Sequence, residues 1–380
     1  MMNKNEWKKV KLKNCANITM GQSPNSSSYN TNGEGIPFYQ GNADFGDLYP
    51  KLRYFCTEPT KIANGNDLLL SVRAPIGKIN IATTSCCIGR GLCSITPKEN
   101  IIFQKYLYYI LKFKEKEFNS IGTGTTFKAI SKNQICETEF LLPNIEEQKK
   151  ITLILENSEK LLKLKKQQLS ELDRLVKFQF LKMFGDPVSN IFNFQKCKIK
   201  DVALKKLMYG SGSSAIEFNN EIRYIRITDI DFLGNLKSEK VSPSLFEEKY
   251  LLNDGDVLFA RSGATVGKTF HFKKSYGKCI FAGYLIRLVP NQSKVLPEYL
   301  FYFTKTDFYD NFIKSNSKTV AQPNINAQQY ESLDILIPPI ELQNKFADFV
   351  KQVDKSKFEL QKSIDETQLL FDSLMDKYFG

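Results

Sequence analysis

The chain has 380 residues, a formal net charge of +12 and 42% hydrophobic residues, which suits two domains with sizeable cores and a polyanionic partner, of which nucleic acid is the usual one. Its eight cysteines form no C-x-x-C pair and its only histidine is His271, which argues against a zinc site or a histidine-based triad and for reduced thiols in an intracellular protein. The start MMNKNEWKKVKLKN has no apolar core and no run of about 18 apolar residues occurs, so a cytoplasmic protein with no signal peptide and no membrane partner is expected.

Residues 1–144 read as a globular domain of short strands. Its turns are rich in Gly, Asn, Ser and Pro, as in GQSPNSSSYNTNGEG (21–35) and GTGTT (122–126). One amphipathic helix near 102–112 carries Tyr106 and Tyr109 at helical spacing, which suits packing rather than base stacking. Ser131-x-x-Gln134 fits a capping box, in which the cap oxygen takes the amide proton three residues on. Residues 145–185 have a different texture, with no glycine or proline from 146 to 184. Steps of three and four place Leu155, Leu162, Leu169, Leu172 and Val176 on one seam.

Residues 186–339 repeat the order of the first domain, with Asn326-x-x-Gln329 as the second capping box. Residues 340–380 repeat the helix, with Val350, Val353, Leu360, Ile364, Phe371 and Leu374 on the seam. LLPNIEEQKKI (141–151) and LIPPIELQNKF (336–346) lie 195 residues apart, and Phe184-Gly185 meets Phe379-Gly380 at the same offset. Twelve identities fall in those 45 ungapped positions. Upstream the offset drifts: 193 for KYLYYIL and EYLFYFT, 190 for Gly77-Lys78 and Gly267-Lys268, 188 for Arg73 and Arg261, 187 for Cys15-Ala16 and Val202-Ala203. Loop insertions give such a steady drift. The fold class is therefore α+β: two similar globular α/β domains separated by two long helices that form an antiparallel coiled coil, as a pseudo-twofold internal repeat. The competing arrangement packs each helix on its own domain. About 38 residues at 1.5 Å each make ~57 Å of helix, more than such a domain needs.

ARSGATVGKTF (260–270) resembles a phosphate-binding loop, and Gly267-Lys268-Thr269 has its ending. The pattern G-x-x-x-x-G-K-[ST] needs glycine at 262, where this chain has Ser262. The first copy, SVRAPIGKINI (71–81), has no hydroxyl after its Gly-Lys. A strand, a Gly-Lys turn and a second strand explain both copies, with the glycine as a backbone requirement. A nucleotide hydrolase built on that loop and a coiled-coil scaffold without DNA binding are the alternative functions.

The doubled order resembles the specificity subunit of type I restriction-modification systems over essentially the whole chain. The features that carry it are WKKVKLKNCANITMGQSP (7–24), the units NDLLLSVRAPIGKI and DGDVLFARSGATVGK, and the two motifs that open the long helices. The resemblance implies that residues 1–144 and 186–339 are target recognition domains, each reading one half of a split double-stranded DNA target. It implies that residues 145–185 and 340–380 are spacer helices that dock two methyltransferase subunits, and motor-nuclease subunits in a restricting complex. The chain itself would be non-catalytic and bind no cofactor. S-adenosylmethionine would be used by the partner methyltransferase for adenine methylation. No N/D-P-P-Y/F methylation motif is present, since Pro338-Pro339 stands in IPPI.

That family sets no fixed motif for base-reading residues, so the candidates come from loops that recur in both copies. Phosphates need Lys, Arg, hydroxyls and free N–H groups, and base edges need Arg, Asn, Gln and Lys. In the first domain these are Gln22, Ser23, Arg73, Lys78, Arg90, Thr123, Thr125, Thr126 and Lys128. In the second they are Ser211, Ser213, Ser214, Arg223, Arg226, Arg261, Lys268, Lys318, Thr319, Gln322 and Asn324.

Overall fold

The computed structural model describes residues 6–123, 128–317 and 323–380. It divides into two compact units, Met1–Lys165 with Ser363–Gly380, and Lys166–Lys362. Each unit thus holds one α/β domain and a segment of each long helix.

In the first unit, Lys8–Lys11 pairs antiparallel with Glu139–Leu142, so the two ends of the domain meet on one ribbon. Ion pairs line its exposed face: Lys9 bridges Glu139 at 2.6 Å, and Lys11 and Lys13 both reach Glu137 at 2.5 Å. Hydrogen bonds from Lys11 and then Lys13 hold the Glu137 carboxyl down at about 2. A four-stranded sheet follows in the order Ala16–Met20, Leu92–Pro97, Leu68–Ser71, Ile79–Ile81. A second sheet of five strands contains the parallel pair Ile36–Tyr39 and Cys86–Ile88. Where one amphipathic helix was expected, two stand end to end, Gln104–Phe113 and Glu115–Ile121. Tyr106 and Tyr109 are buried, as their spacing suggested.

The second unit repeats this plan. Gln195–Lys198 pairs with Asp334–Ile337, and Lys196 and Lys198 converge on Asp334. Its four-stranded sheet has the same order: Met208–Tyr209, Leu285–Leu288, Val257–Ala260, Thr269–His271. The parallel pair recurs as Arg223–Ile225 with Cys279–Phe281, but here it stands alone rather than in a five-stranded sheet. Both capping boxes form, Ser131 with Gln134 and Asn326 with Gln329. At the Gly-Lys turns, Gly77 and Gly267 have φ of 91° and 86°. An added Cβ would stand 3.1 Å from the Glu115 Cα and 3.0 Å from the Ile313 side chain, so both backbone conformation and space call for glycine.

The long helices run Ile145–Phe184 and Ile340–Phe379, 40 residues each, or about 60 Å. All eleven seam residues named from the sequence are buried or half-buried. Within the first unit, Lys165 donates from Nζ to the hydroxyls of Ser363 and Thr367, both at 2.7 Å. Within the second, Lys357 pairs with Asp173 while Phe180 and Phe184 pack on Phe346, so the two helix segments run antiparallel. Two polar positions on the seam, Lys165 and Lys357, are thus answered by polar groups of the other helix.

Each long helix is locked to a domain at both ends. Near its start, Gln148 is fully buried; its side chain accepts from Phe103 N–H and donates to the carbonyls of Ile101 and Pro143. Gln343 makes the same three bonds to Leu296, Lys294 and Pro338. At its end, Phe184 packs on Tyr299 in the second unit, and Phe379 packs on Tyr106 in the first. The repeated terminal phenylalanines thus serve opposite copies.

Gln343→Leu keeps the volume but strands one N–H and two carbonyls. It should lower the unfolding free energy of the full chain by roughly 3 kcal/mol, read by urea denaturation; a change under about 0.5 kcal/mol would mean water replaces the amide. A pH effect follows from His271, which is buried in the strand Thr269–His271 and pushed down to about 4 by burial and then by Lys273. A folded value below the unfolded 6.5 means the unfolded chain binds the extra proton between those limits. Stability should therefore fall as pH drops from about 6.5 towards 4, by on the order of 3 kcal/mol in full. His271→Phe should remove that component from the denaturation midpoint.

Candidate nucleic-acid interface

Strand ends and returning loops build the site. In the first unit, Val72 donates to the Gly91 carbonyl and accepts from Ile130, so the strand end is pinned between two loops. The next residue, Arg73, is exposed and bridges to Ala129, just after the GTGTTFK stretch of the sequence. Arg90 is exposed and donates from Nε to Ser23 Oγ at 3.4 Å. Arg73, Arg90 and Ser23 line one open cleft of about 620 Å³ together with Gln40 and Arg53. Asp44, buried beneath, accepts from the backbone of Gln40 and contacts Arg53 at 3.4 Å. Among the described residues no carboxylate pairs with Arg73 or Arg90, so the cleft presents unneutralised guanidinium groups and an amide.

The other first-domain candidates scatter. Gln22, Thr123 and Lys128 are exposed; Thr123 and Ala129 exchange backbone bonds, and Lys128 donates from Nζ to the Asn119 carbonyl at 3.0 Å. Thr125 and Thr126 lie outside the described residues. Lys78 was expected to face an anion beside Arg73. It bridges Glu115 at 2.8 Å instead and lines a different cleft with Tyr108 and Lys112.

The second unit corrects more of the sequence reading. Arg223 is buried, and its guanidinium donates to the carbonyls of Lys237 and Glu239, so its charge serves the fold. Arg226 is held by both oxygens of Asp229, at 3.0 and 2.7 Å, which offsets its charge. Ser211 is buried, and its Oγ accepts from Ser213 N–H. Ser213 in turn bonds Ser244, and only Ser214 of the three is exposed. Lys268 is turned inward: Nζ donates to the Ile230 carbonyl at 2.7 Å and lies over the Phe232 ring, and burial followed by Lys237 lowers its pKa. Thr269 is buried with its hydroxyl on Thr304. A phosphate loop turns both of those side chains to its ligand, so the geometry here is not that of one. Lys318, Thr319 and Gln322 lie outside the described residues.

Arg261 remains half-exposed; it stacks on Tyr209 at 4.7 Å and donates to Asn324 Oδ1 at 3.3 Å. It is not the counterpart of Arg73. Ser262 makes the bridge to Asn324 that Arg73 makes to Ala129, and Arg261 donates to Tyr284 as Val72 does to Gly91. The offset is 189 at this point, and the matched arginines were one residue out of register. Sequence reasoning also missed Arg53, Gln40 and Tyr284. Arg53 sits in the basic-aromatic run YPKLRYF (49–55), the one signal that could have singled it out.

Comparison with known proteins bears on this arrangement. The family described as "Type I restriction modification DNA specificity domain" matches twice, over residues 4–174 and 193–367. The MjaX specificity subunit of Methanocaldococcus jannaschii, a putative type I restriction enzyme component, is 38% identical over 174 residues, 45% of this chain and 41% of the relative, so the match spans under half of that protein. The MjaIX specificity subunit of the same organism is 24% identical over 408 residues, covering 98% of this chain and 92% of the relative. The solved type-I restriction-modification system S subunit from M. genitalium shares the fold at 15% identity, with a TM-score of 0.59 over 100% of this chain and 98% of that one. A doubled α/β domain with a paired long helix, matched twice along its length, places this chain in the type I restriction-modification DNA specificity family.

Proposed function

We propose that this chain is the DNA-reading specificity subunit of a type I restriction-modification complex. Each α/β domain reads one half of a bipartite duplex target, and the chain performs no chemical step. Its partners are two methyltransferase subunits, which use S-adenosylmethionine, and motor-nuclease subunits where the complex restricts. The observation that carries this reading is the repeat itself: both halves match the family domain, and one of them holds an exposed arginine cleft. The formal charge of +12 supports a polyanionic partner.

The docking surface we assign is the outward side of the long helices. Leu161, Leu164 and Leu369 are exposed in the first unit, and Phe178 and Phe358 in the second. Large apolar side chains at that exposure suit a helical partner. The partner we assign there is the methyltransferase, because the family works inside such a complex.

Native mass spectrometry of the chain co-expressed with its methyltransferase should show one specificity chain with two methyltransferases. Phe178→Asp should lower that occupancy, and a stable one-to-one complex at saturation would count against paired docking. For DNA, the salt slope of duplex binding reports how many phosphates the chain neutralises. Lys268→Ala should leave the slope unchanged, because that ammonium is spent on the Ile230 carbonyl. A slope that falls with Lys268→Ala would put this lysine back at the phosphates.

A further inference from the structure

The two domains share a backbone but not the side chains of the cleft. Where the first domain has Arg73, the second has Ser262, fixed by the same bridge to the returning loop. Gly91 and Tyr284 accept equivalent bonds, so Arg90, one residue earlier, corresponds to Gly283. Gln40 and Arg226 also correspond, since each follows the parallel strand pair and donates its N–H to the aspartate of its loop, Asp44 or Asp229. The second domain's arginine is neutralised by that aspartate, whereas Arg73 and Arg90 are not neutralised among the described residues.

Resting on the DNA-reading function above, we infer that the half-site read by the first domain contains guanine, contacted in the major groove by Arg73 and Arg90, and that the second half-site is read without arginine at those two positions. The phosphate backbone is the same polymer at both half-sites. Contacts that serve it should recur in both copies of a duplicated fold. The bases differ between half-sites, so the contacts that read them are free to differ. Arg73 and Arg90 are the unshared kind. The guanidinium fork matches the O6 and N7 acceptors of guanine, which no other base presents together in the major groove. Arg90 already has Nε on Ser23 Oγ, which fixes its plane and leaves both Nη groups for a ligand. Gln40 beside them presents an amide that suits adenine.

Methylome sequencing of a strain carrying the full complex tests this, with the wild-type chain, Arg73→Ala, Arg90→Ala and the charge-conserving Arg73→Lys. The wild type should methylate a bipartite motif. Arg73→Ala and Arg90→Ala should each relax a guanine position, by roughly tenfold in discrimination, in one and the same half of the motif. The other half should stay unchanged, which also shows that the chain still folds. Arg73→Lys should keep overall methylation while weakening the same guanine. The inference is overturned if the affected half contains no guanine. It is equally overturned if the variants lower methylation evenly at all sites with the motif intact, which marks a phosphate contact. No bipartite methylation with the wild-type chain would sink the DNA-reading function itself, a separate result.

Discussion

A buried side-chain amide at the start of each long helix holds the structure to its plan. Gln148 and Gln343 each satisfy a strand-side carbonyl, a loop carbonyl and a helix-preceding N–H in a site closed to water. The two glutamines are 195 residues apart, while the loop groups they bind are 193 apart. Two blocks of sequence that drifted independently are thus tied by one side chain. A buried amide without those partners would cost more than the helix start could return. The direction in which the helix leaves the domain is fixed as a consequence.

From that start the seam is set. An apolar stripe alone would tolerate a slip by one heptad. Lys165 against Ser363 and Thr367, and Lys357 against Asp173, do not, because a slip would leave an ammonium between apolar neighbours. At the far end, Phe184 and Phe379 close onto the tyrosines Tyr299 and Tyr106 of the opposite copies. Phe379, itself half-buried, therefore packs on a buried tyrosine of the first unit.

The domains carry their charge in two ways. Arg223, Arg226, Lys268 and Lys78 are spent on carbonyls and carboxylates of the protein, so they shape loops. Arg73 and Arg90 stand at loop edges where the backbone is already satisfied and, among the described residues, no carboxylate pairs with the side chain. A basic residue on a recurring loop is thus weak evidence for a nucleic-acid contact. What separates the two groups is whether a carbonyl or carboxylate of the protein takes up the charge.

The sequence by itself determined the duplication, the two long helices, their seams and both capping boxes. Those features depend on local spacing: a helix repeats every 3.6 residues and a cap spans four, so a linear reading can see them. It also singled out Arg73 and Arg90. It could not place Arg53 and Gln40 beside them, because the strands they flank meet Cys86–Ile88, before Arg90, and approach Leu68–Ser71, before Arg73, only on folding. It paired Arg73 with Arg261 because both are arginine before a Gly-Lys turn, yet the hydrogen-bond register sets Ser262 opposite Arg73. It counted Arg223 and Lys268 as available because charge is legible in a sequence and its partner is not. Tertiary structure decided which cations stayed free, since the carbonyls of Lys237, Glu239 and Ile230 come within bonding distance only when the second domain closes its loops.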